Sequence, residues 1–68
     1  MEYRKTYDFT YKDNEGDLYE SGVYSSQKEA DKAIAELYKE FDGDISIEET
    51  WIYKEYKDGT TEFVGRWR

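Results

Sequence analysis

One segment of this chain has the periodicity of an amphipathic helix. Apolar residues recur there at helical spacing and form a single stripe: Ala30, Ala33, Ile34, Leu37, Tyr38 and Phe41. Ser26 followed by Glu29 has the pattern of a capping box, and Gly43 stands where a left-handed residue ends a helix. We therefore predict one helix over about 27–41, and one helix can cover only one face of a sheet.

The segments on both sides of this helix have the two-residue period of β-strands. Strands are predicted over residues 3–11, 17–25, 44–56 and 60–67. Gly22 inside the second strand indicates a bulge or a close approach of another backbone segment. The order of elements is ββαββ, an α+β fold of one domain spanning residues 1–68. We predict a four-stranded antiparallel sheet of order 2-1-3-4 with the helix packed on one face.

The two hairpins are predicted to turn through three-residue loops, at residues 14–16 and 57–59, with a glycine in the left-handed position. This loop length avoids pairing Glu55 with Glu62 and brings opposite charges and aromatic rings together. The predicted cross-strand pairs are Tyr11–Tyr19, Tyr7–Val23, Lys54–Glu62, Tyr53–Phe63, Ile52–Val64 and Glu48–Arg68.

Strict alternation along each strand assigns every side chain to one face of the sheet. The predicted helix-covered face contains Tyr7, Phe9, Tyr11, Tyr19, Val23, Ile45, Ile47, Trp51, Tyr53, Phe63 and Trp67. The other face is mostly polar, with Asp8 and Glu20 among its acids. It is predicted to hold a small apolar island of Ile52, Tyr56 and Val64, with Tyr24 beside it.

The composition argues for a binding protein and against an enzyme. The chain has no histidine and no cysteine, so it lacks the usual base at neutral pH, the soft metal ligands and the strongest nucleophile. The acidic stretch 13–17 does not fit a calcium loop, because Tyr11 falls at the first ligand position. We predict no catalytic residues, no metal and no cofactor.

Seventeen acidic residues against ten basic ones give a net charge of −7, which repels nucleic acid and anionic membranes and attracts basic protein surfaces. Acids crowd the end of the helix, where they oppose its dipole. The predicted contacts with a protein partner are the charged Asp8, Glu20, Glu36, Glu40, Asp42 and Asp44 and the anchors Tyr24 and Tyr56. The alternative is an acidic surface that only keeps the protein in solution.

In size, acidity and aromatic-rich sheet, the chain resembles the small acidic inhibitors encoded by phages and mobile elements. This class includes anti-CRISPR proteins, anti-restriction proteins and inhibitors of uracil-DNA glycosylase. The resemblance implies a non-enzymatic protein that mimics DNA and occupies the basic groove of a nucleic-acid enzyme, or that blocks a neighbouring protein surface. It carries no motif, so it assigns no functional residues.

A second hypothesis is a structural module that associates with itself through the uncovered sheet face or an edge strand. The long third strand and the predicted apolar island favour this hypothesis. The protein is expected to be a monomer or a homodimer. No apolar run is long enough for a signal-peptide core or a membrane span. We therefore expect a cytoplasmic protein that binds neither membrane nor nucleic acid directly.

Overall fold

A computed structural model describes residues 2–68 and contains one helix and four strands within that range. The elements are β1 (Tyr3–Lys12), β2 (Leu18–Glu20), α1 (Gln27–Glu40), β3 (Ser46–Tyr56) and β4 (Thr61–Gly65). All strand pairs are antiparallel, and the sheet order is β2-β1-β3-β4. The predicted α+β fold and its strand order are confirmed.

Both hairpins turn through the predicted three-residue loops. Gly16 and Gly59 have φ angles of 85° and 90°, the left-handed region that a residue with a Cβ adopts at a cost. Asp13 N–H donates to Asp17 O at 3.1 Å in the first hairpin, and Tyr56 N–H donates to Thr60 O at 2.9 Å in the second. The glycines therefore fix the register at the start of each hairpin.

Helix α1 begins at the predicted N-cap. Ser26 has extended backbone angles, and its Oγ accepts a hydrogen bond from Glu29 N at 3.2 Å. The Glu29 carboxylate accepts from Ser25 Oγ and Ser25 N, where a strict capping box uses the N-cap N–H. At the other end, Gly43 has a φ of 80° and its N–H donates to Tyr38 O at 2.6 Å.

The core lies between α1 and one face of the sheet. Its buried apolar residues are Phe9, Ala30, Ile34 and Trp67. Tyr7, Tyr11, Tyr24, Ala33, Leu37, Ile47 and Ile52 pack around them. Trp67 closes the core from beyond β4, where its indole Nε1 donates to Asp8 O at 3.0 Å.

Three strand segments each contain one extra residue, and each extra residue reverses the alternation of side chains. In β3, Thr10 pairs with Glu49 but Tyr11 pairs with Ile47. In β4, Ile52 pairs with Gly65 but Tyr53 pairs with Phe63, which leaves Val64 between them. These irregularities are β-bulges, in which two residues of one strand face one residue of its partner.

The third bulge lies after β2. Glu20 pairs with Thr10, but the next bridge joins Tyr24 to Tyr7, so this segment has one residue more than β1 over the same length. The bulge predicted at Gly22 lies in this interval. Because of it, Tyr24 lies on the helix-covered face with Tyr7.

The bulges make part of the predicted face assignment wrong. The residues that move from the predicted covered face to the open face are Val23, Trp51, Tyr53 and Phe63, and those that move the other way are Tyr24, Ile52 and Tyr56. The predicted pairs Tyr11–Tyr19, Lys54–Glu62 and Tyr53–Phe63 are confirmed. The pairs Tyr7–Val23 and Ile52–Val64 are wrong, because each lies beyond a bulge.

Candidate interaction surfaces

The net charge of the protein is concentrated in one continuous segment. Residues 13–44 contain ten acidic and three basic residues, and the rest of the chain contains seven of each. This segment forms the first turn, the edge strand β2, α1 and the turn after it. The protein therefore has an acidic half, defined by residues 13–44, and a neutral half made mostly of β1, β3 and β4.

The predicted acids at the end of α1 form the most concentrated part of the acidic half. Glu36, Glu40, Asp42 and Asp44 are all exposed. Within residues 2–68, the four ion pairs are Arg4–Glu55, Lys12–Glu48, Lys57–Glu2 and Arg66–Glu49. None of them involves these four acids, which we call the helix-end acids. Lys39 lies in the same last turn of α1, but none of the helix-end acids forms an ion pair with a residue of the described chain.

Asp42 adds a backbone cost to this surface. It is the only residue other than glycine with a positive φ in residues 2–68, at 53°. Glycine or asparagine occupies such a position at lower cost, and an acid at the end of a helix also opposes the helix dipole. Nothing in the fold requires a carboxylate there.

A groove separates α1 from the segment after β2. Its volume is about 250 Å³, and it is lined by Phe9, Tyr11, Glu20, Ser21, Gly22, Tyr24, Ala33, Glu36, Leu37 and Glu40. Aromatic rings form its floor, where Phe9 and Tyr24 lie nearly parallel at 6.2 Å between centroids. The groove therefore brings together three of the predicted contact residues: Tyr24, Glu36 and Glu40. Glu20 also lines it, but its pairing with Thr10 places its side chain on the open face of the sheet.

Asp8 lies apart from the helix-end acids, on the open face of the sheet beside Trp51. Its Oδ1 is buried and accepts no hydrogen bond from residues 2–68. Burial and the nearby negative charge of Glu20 raise the pKa of Asp8 above its usual value. The structure thus divides the predicted acids into two groups, the helix-end acids and the pair Asp8 and Glu20.

The two predicted tyrosine anchors are not on the open face. Tyr24 is half-buried between Phe9 and α1. Tyr56 pairs with Tyr3, and their rings meet edge-to-face at 5.9 Å beyond the end of the core. Tyr24 is therefore reached from the side of α1 and not from the open face, and Tyr56 lies at the opposite end of the sheet from the helix-end acids.

The open face holds an aromatic cluster that alternation had assigned to the core. Phe63 contacts Trp51 and Tyr53 edge-to-face, with ring centroids 5.5 and 5.8 Å apart, and 53% of Phe63 is exposed. The Arg66 guanidinium lies 5.7 Å from the Trp51 ring centroid. One signal in the sequence marks the change of face: Ile47 and Ile52 are both apolar but are an odd number of residues apart.

The first turn brings three carboxylates together, and the turn itself accounts for them. Asp13, Glu15 and Asp17 each place one oxygen within 4.8 Å of the others. Asp13 Oδ1 accepts from Glu15 N and Asp17 N at 2.9 and 3.0 Å, which is a turn held by an aspartate side chain. The hydrogen bonds from Asp17 N and then from Glu15 N lower the pKa of Asp13 below its usual value.

No family model, curated protein or solved structure matches this chain. In residues 2–68, α1 is too short and too polar to cross a membrane. The case for a function therefore rests on the geometry of the surfaces described above.

Proposed function

We propose that this protein is a non-enzymatic protein-binding module that inhibits a nucleic-acid-handling enzyme by occupying its basic groove. In this proposal it acts in the cytoplasm of a host cell as an inhibitor of the phage or mobile-element type, directed against CRISPR or another defence system. Its carboxylates take the place of nucleic-acid phosphates, so it binds protein and does not bind DNA or RNA.

The observation that carries the proposal is the separation of charge. An acidic surface that only keeps a protein in solution can be spread over all its elements. Here the whole excess of seven negative charges belongs to residues 13–44, and the other residues are balanced. A one-sided acidic surface attracts a basic groove and orients the approaching protein.

The helix-end acids add weight because they work against the fold. Glu36 and Glu40 are like charges four residues apart on a helix, a spacing that destabilises by a few tenths of a kcal/mol. Asp42 and Asp44 follow at the negative end of the helix dipole, where cations are favoured by roughly 0.3–1 kcal/mol. Acids kept at such positions are accounted for by a contact that requires them.

The groove beside α1 supplies a place for one basic side chain of the partner. Glu36 and Glu40 stand on its helix wall, and Tyr24 lies on its aromatic floor. An arginine or lysine entering between them meets carboxylates at the rim and an aromatic ring below, which attracts cations across its face. The helix-end acids then extend the contact along the partner's surface.

Affinity capture from bacterial lysate, at about 50 and about 300 mM salt, tests the proposal, with partners identified by mass spectrometry. We expect a nuclease or other nucleic-acid enzyme to be retained at low salt and weakened at high salt. The triple variant Glu40→Lys, Asp42→Lys and Asp44→Lys should lose this partner while unfolding at the same or a higher urea concentration, because lysines do not oppose the helix dipole.

A matched control separates position from net charge. Glu2→Lys, Asp31→Lys and Glu62→Lys together change the charge by the same amount, and all three residues are exposed outside the helix-end acids and the groove. This control should retain the partner. Equal binding by the two triple variants, whether both bind or both fail, contradicts a role for the helix-end acids.

A further inference from the structure

The open face of the sheet has features that the helix-end acids do not explain. No element of residues 2–68 covers it, and its aromatic cluster of Trp51, Tyr53 and Phe63 lies within a polar surround. Exposed aromatic residues that pack on one another are frequent anchors of protein interfaces, because they bury a large area at a low entropy cost. The occupant of this face must match its charges.

Those charges have opposite signs at the two edges of the face. On the β1–β2 side, Asp8 and Glu20 form no ion pair with residues 2–68. On the β4 side, Arg66 has 65% of its side chain exposed. Its nearest nitrogen lies 3.4 Å from Glu49 Oε2, an ion pair without a hydrogen bond. The arginine therefore retains donors for a second carboxylate.

The strand register places the acidic and the basic side chains on one line across the sheet. Thr10 pairs with Glu20 on one side and with Glu49 on the other, and Arg66 reaches Glu49 from beyond β4. A second copy can be placed by a twofold axis that runs parallel to the strands, above the open face and between β1 and β3. The two open faces then meet, and the β4 edge of each copy lies against the β2 edge of the other. The same rotation sets Arg66 of each copy against Glu20 of the other.

We propose that the open face binds a second copy of this chain, in a twofold sandwich held by Arg66 opposite Glu20 and by the aromatic cluster. Such an interface is self-complementary, as a twofold interface must be. Asp8 lies on the neighbouring strand, close enough to Glu20 to add its negative charge on that side of the face.

The distribution of charge permits this association despite the net charge of −7. Stacked sheets lie about 10 Å apart and a helix packs about 10 Å from its sheet, so the two helices are separated by roughly 30 Å. Interactions between exposed charges are screened beyond about 8 Å at physiological salt. The two acidic halves therefore repel each other only weakly.

The size of the face sets the strength of the dimer. The four strands contain 29 residues, which at a rise of about 3.3 Å and a strand spacing of about 4.8 Å present roughly 460 Å² on each copy. Two copies then bury roughly 900 Å², an area typical of weak and transient interfaces. We expect a dissociation constant of about 100 µM, so the dimer forms only at high concentration.

Sedimentation equilibrium between about 10 µM and about 1 mM tests the proposal. The mass should rise from the 8.2 kDa of one chain towards twice that value. Glu20→Arg or Arg66→Glu alone should weaken dimerisation about tenfold, and the two together should restore most of it, because the cross-copy pair is rebuilt with its charges exchanged. Glu40→Arg, with the same charge change as Glu20→Arg, should leave the dimer intact.

Three results would overturn this assignment. The first is a single 8.2 kDa species throughout the concentration range. The second is a dimer that persists unchanged in both single variants, which indicates pairing through an edge strand. The third is a double variant that dimerises no better than the single ones. None of these results bears on the helix-end acids, so the proposed inhibitory function is tested separately.

Discussion

The two faces of the sheet carry the same kind of aromatic pair in different settings. On the covered face, Phe9 and Trp67 meet edge-to-face at 6.5 Å and are 1% and 7% exposed. On the open face, Trp51 and Phe63 meet edge-to-face at 5.5 Å, and Phe63 is 53% exposed. The comparison shows that contact between two rings is not enough to form a core. The rings of the covered face form a core because α1 removes them from water.

The largest expected effect is at the centre of the covered face. Phe9→Ala removes the one large side chain that is fully buried, and a buried Phe→Ala change costs about 3–5 kcal/mol through lost burial and a cavity. For a domain of this size, that loss approaches the whole free energy of unfolding. Urea denaturation followed by circular dichroism measures it.

Phe63→Ala on the open face is the matched comparison. About half of this side chain is already in water, so we expect a loss of about 1 kcal/mol or less. The measurement belongs at about 5 µM protein, well below the expected dimer dissociation constant. If Phe63→Ala destabilises as much as Phe9→Ala, the open face is a second core and the contrast between the faces fails.

The two tryptophans give a smaller and sharper contrast. Trp67→Phe keeps a ring in the core but removes the indole N–H that donates to Asp8 O. Losing this hydrogen bond should cost about 1 kcal/mol. Trp51→Phe keeps the ring contact with Phe63, and we expect a change below about 0.5 kcal/mol. Thermal unfolding of the two variants should rank them in this order, and the reverse order contradicts the assigned faces.

The smallest effect distinguishes two aspartates by pH. The pKa of Asp8 is raised, so the folded state holds this proton more tightly, and stability falls as pH rises from 3.8 through the folded pKa. The pKa of Asp13 is lowered by hydrogen bonds from backbone amides, so its contribution is present above 3.8 and is lost as pH falls.

Substitution with asparagine removes each titration. Between acidic and neutral pH, Asp8→Asn should therefore gain stability relative to the parent protein, and Asp13→Asn should lose it. Melting temperatures of the three proteins at pH 3 and pH 7 measure the difference. Changes of the same sign in both variants would contradict the environments described for these two carboxyl groups.

The topology of this fold could be predicted from the sequence because local signals specify it. Ser26 and Gly43 mark the helix ends, and Gly16 and Gly59 mark the turns with their positive φ angles. A helix that follows one hairpin and precedes another leaves few antiparallel arrangements. The order 2-1-3-4 is one of these, and the sequence alone does not select it; in the structure the two longest strands, β1 and β3, pair at the centre.

The face on which each side chain lies could be predicted only in part. After a bulge, strict alternation assigns every following side chain to the wrong face. Glycine indicated the bulge near Gly22, but the extra residues in β3 and β4 have ordinary side chains and leave no local mark. Their positions are set by packing: Ile47 and Ile52 both reach the core only if one residue between them is skipped. The odd spacing of Ile47 and Ile52 indicates that one residue is skipped, but only the pairing across the sheet shows which one.

The candidate surfaces divide in the same way. The helix-end acids were predictable, because charges on a helix and in the turn after it lie at the surface whatever the sheet does. The groove was not, since it depends on Tyr24 changing face and on the distance between α1 and the segment after β2. The aromatic cluster depends on the bulges in β3 and β4 together.

The bulge at Val64 has a consequence for how the chain can vary over evolution. The side chain of Val64 is 43% exposed, so many residue types can replace it with little effect. Deleting this residue instead exchanges the two faces for the side chains that follow it. Trp67 would then point to solvent and Arg66 towards the core. Homologous sequences should therefore differ freely in what stands at this position, yet keep constant the number of residues between Phe63 and Trp67.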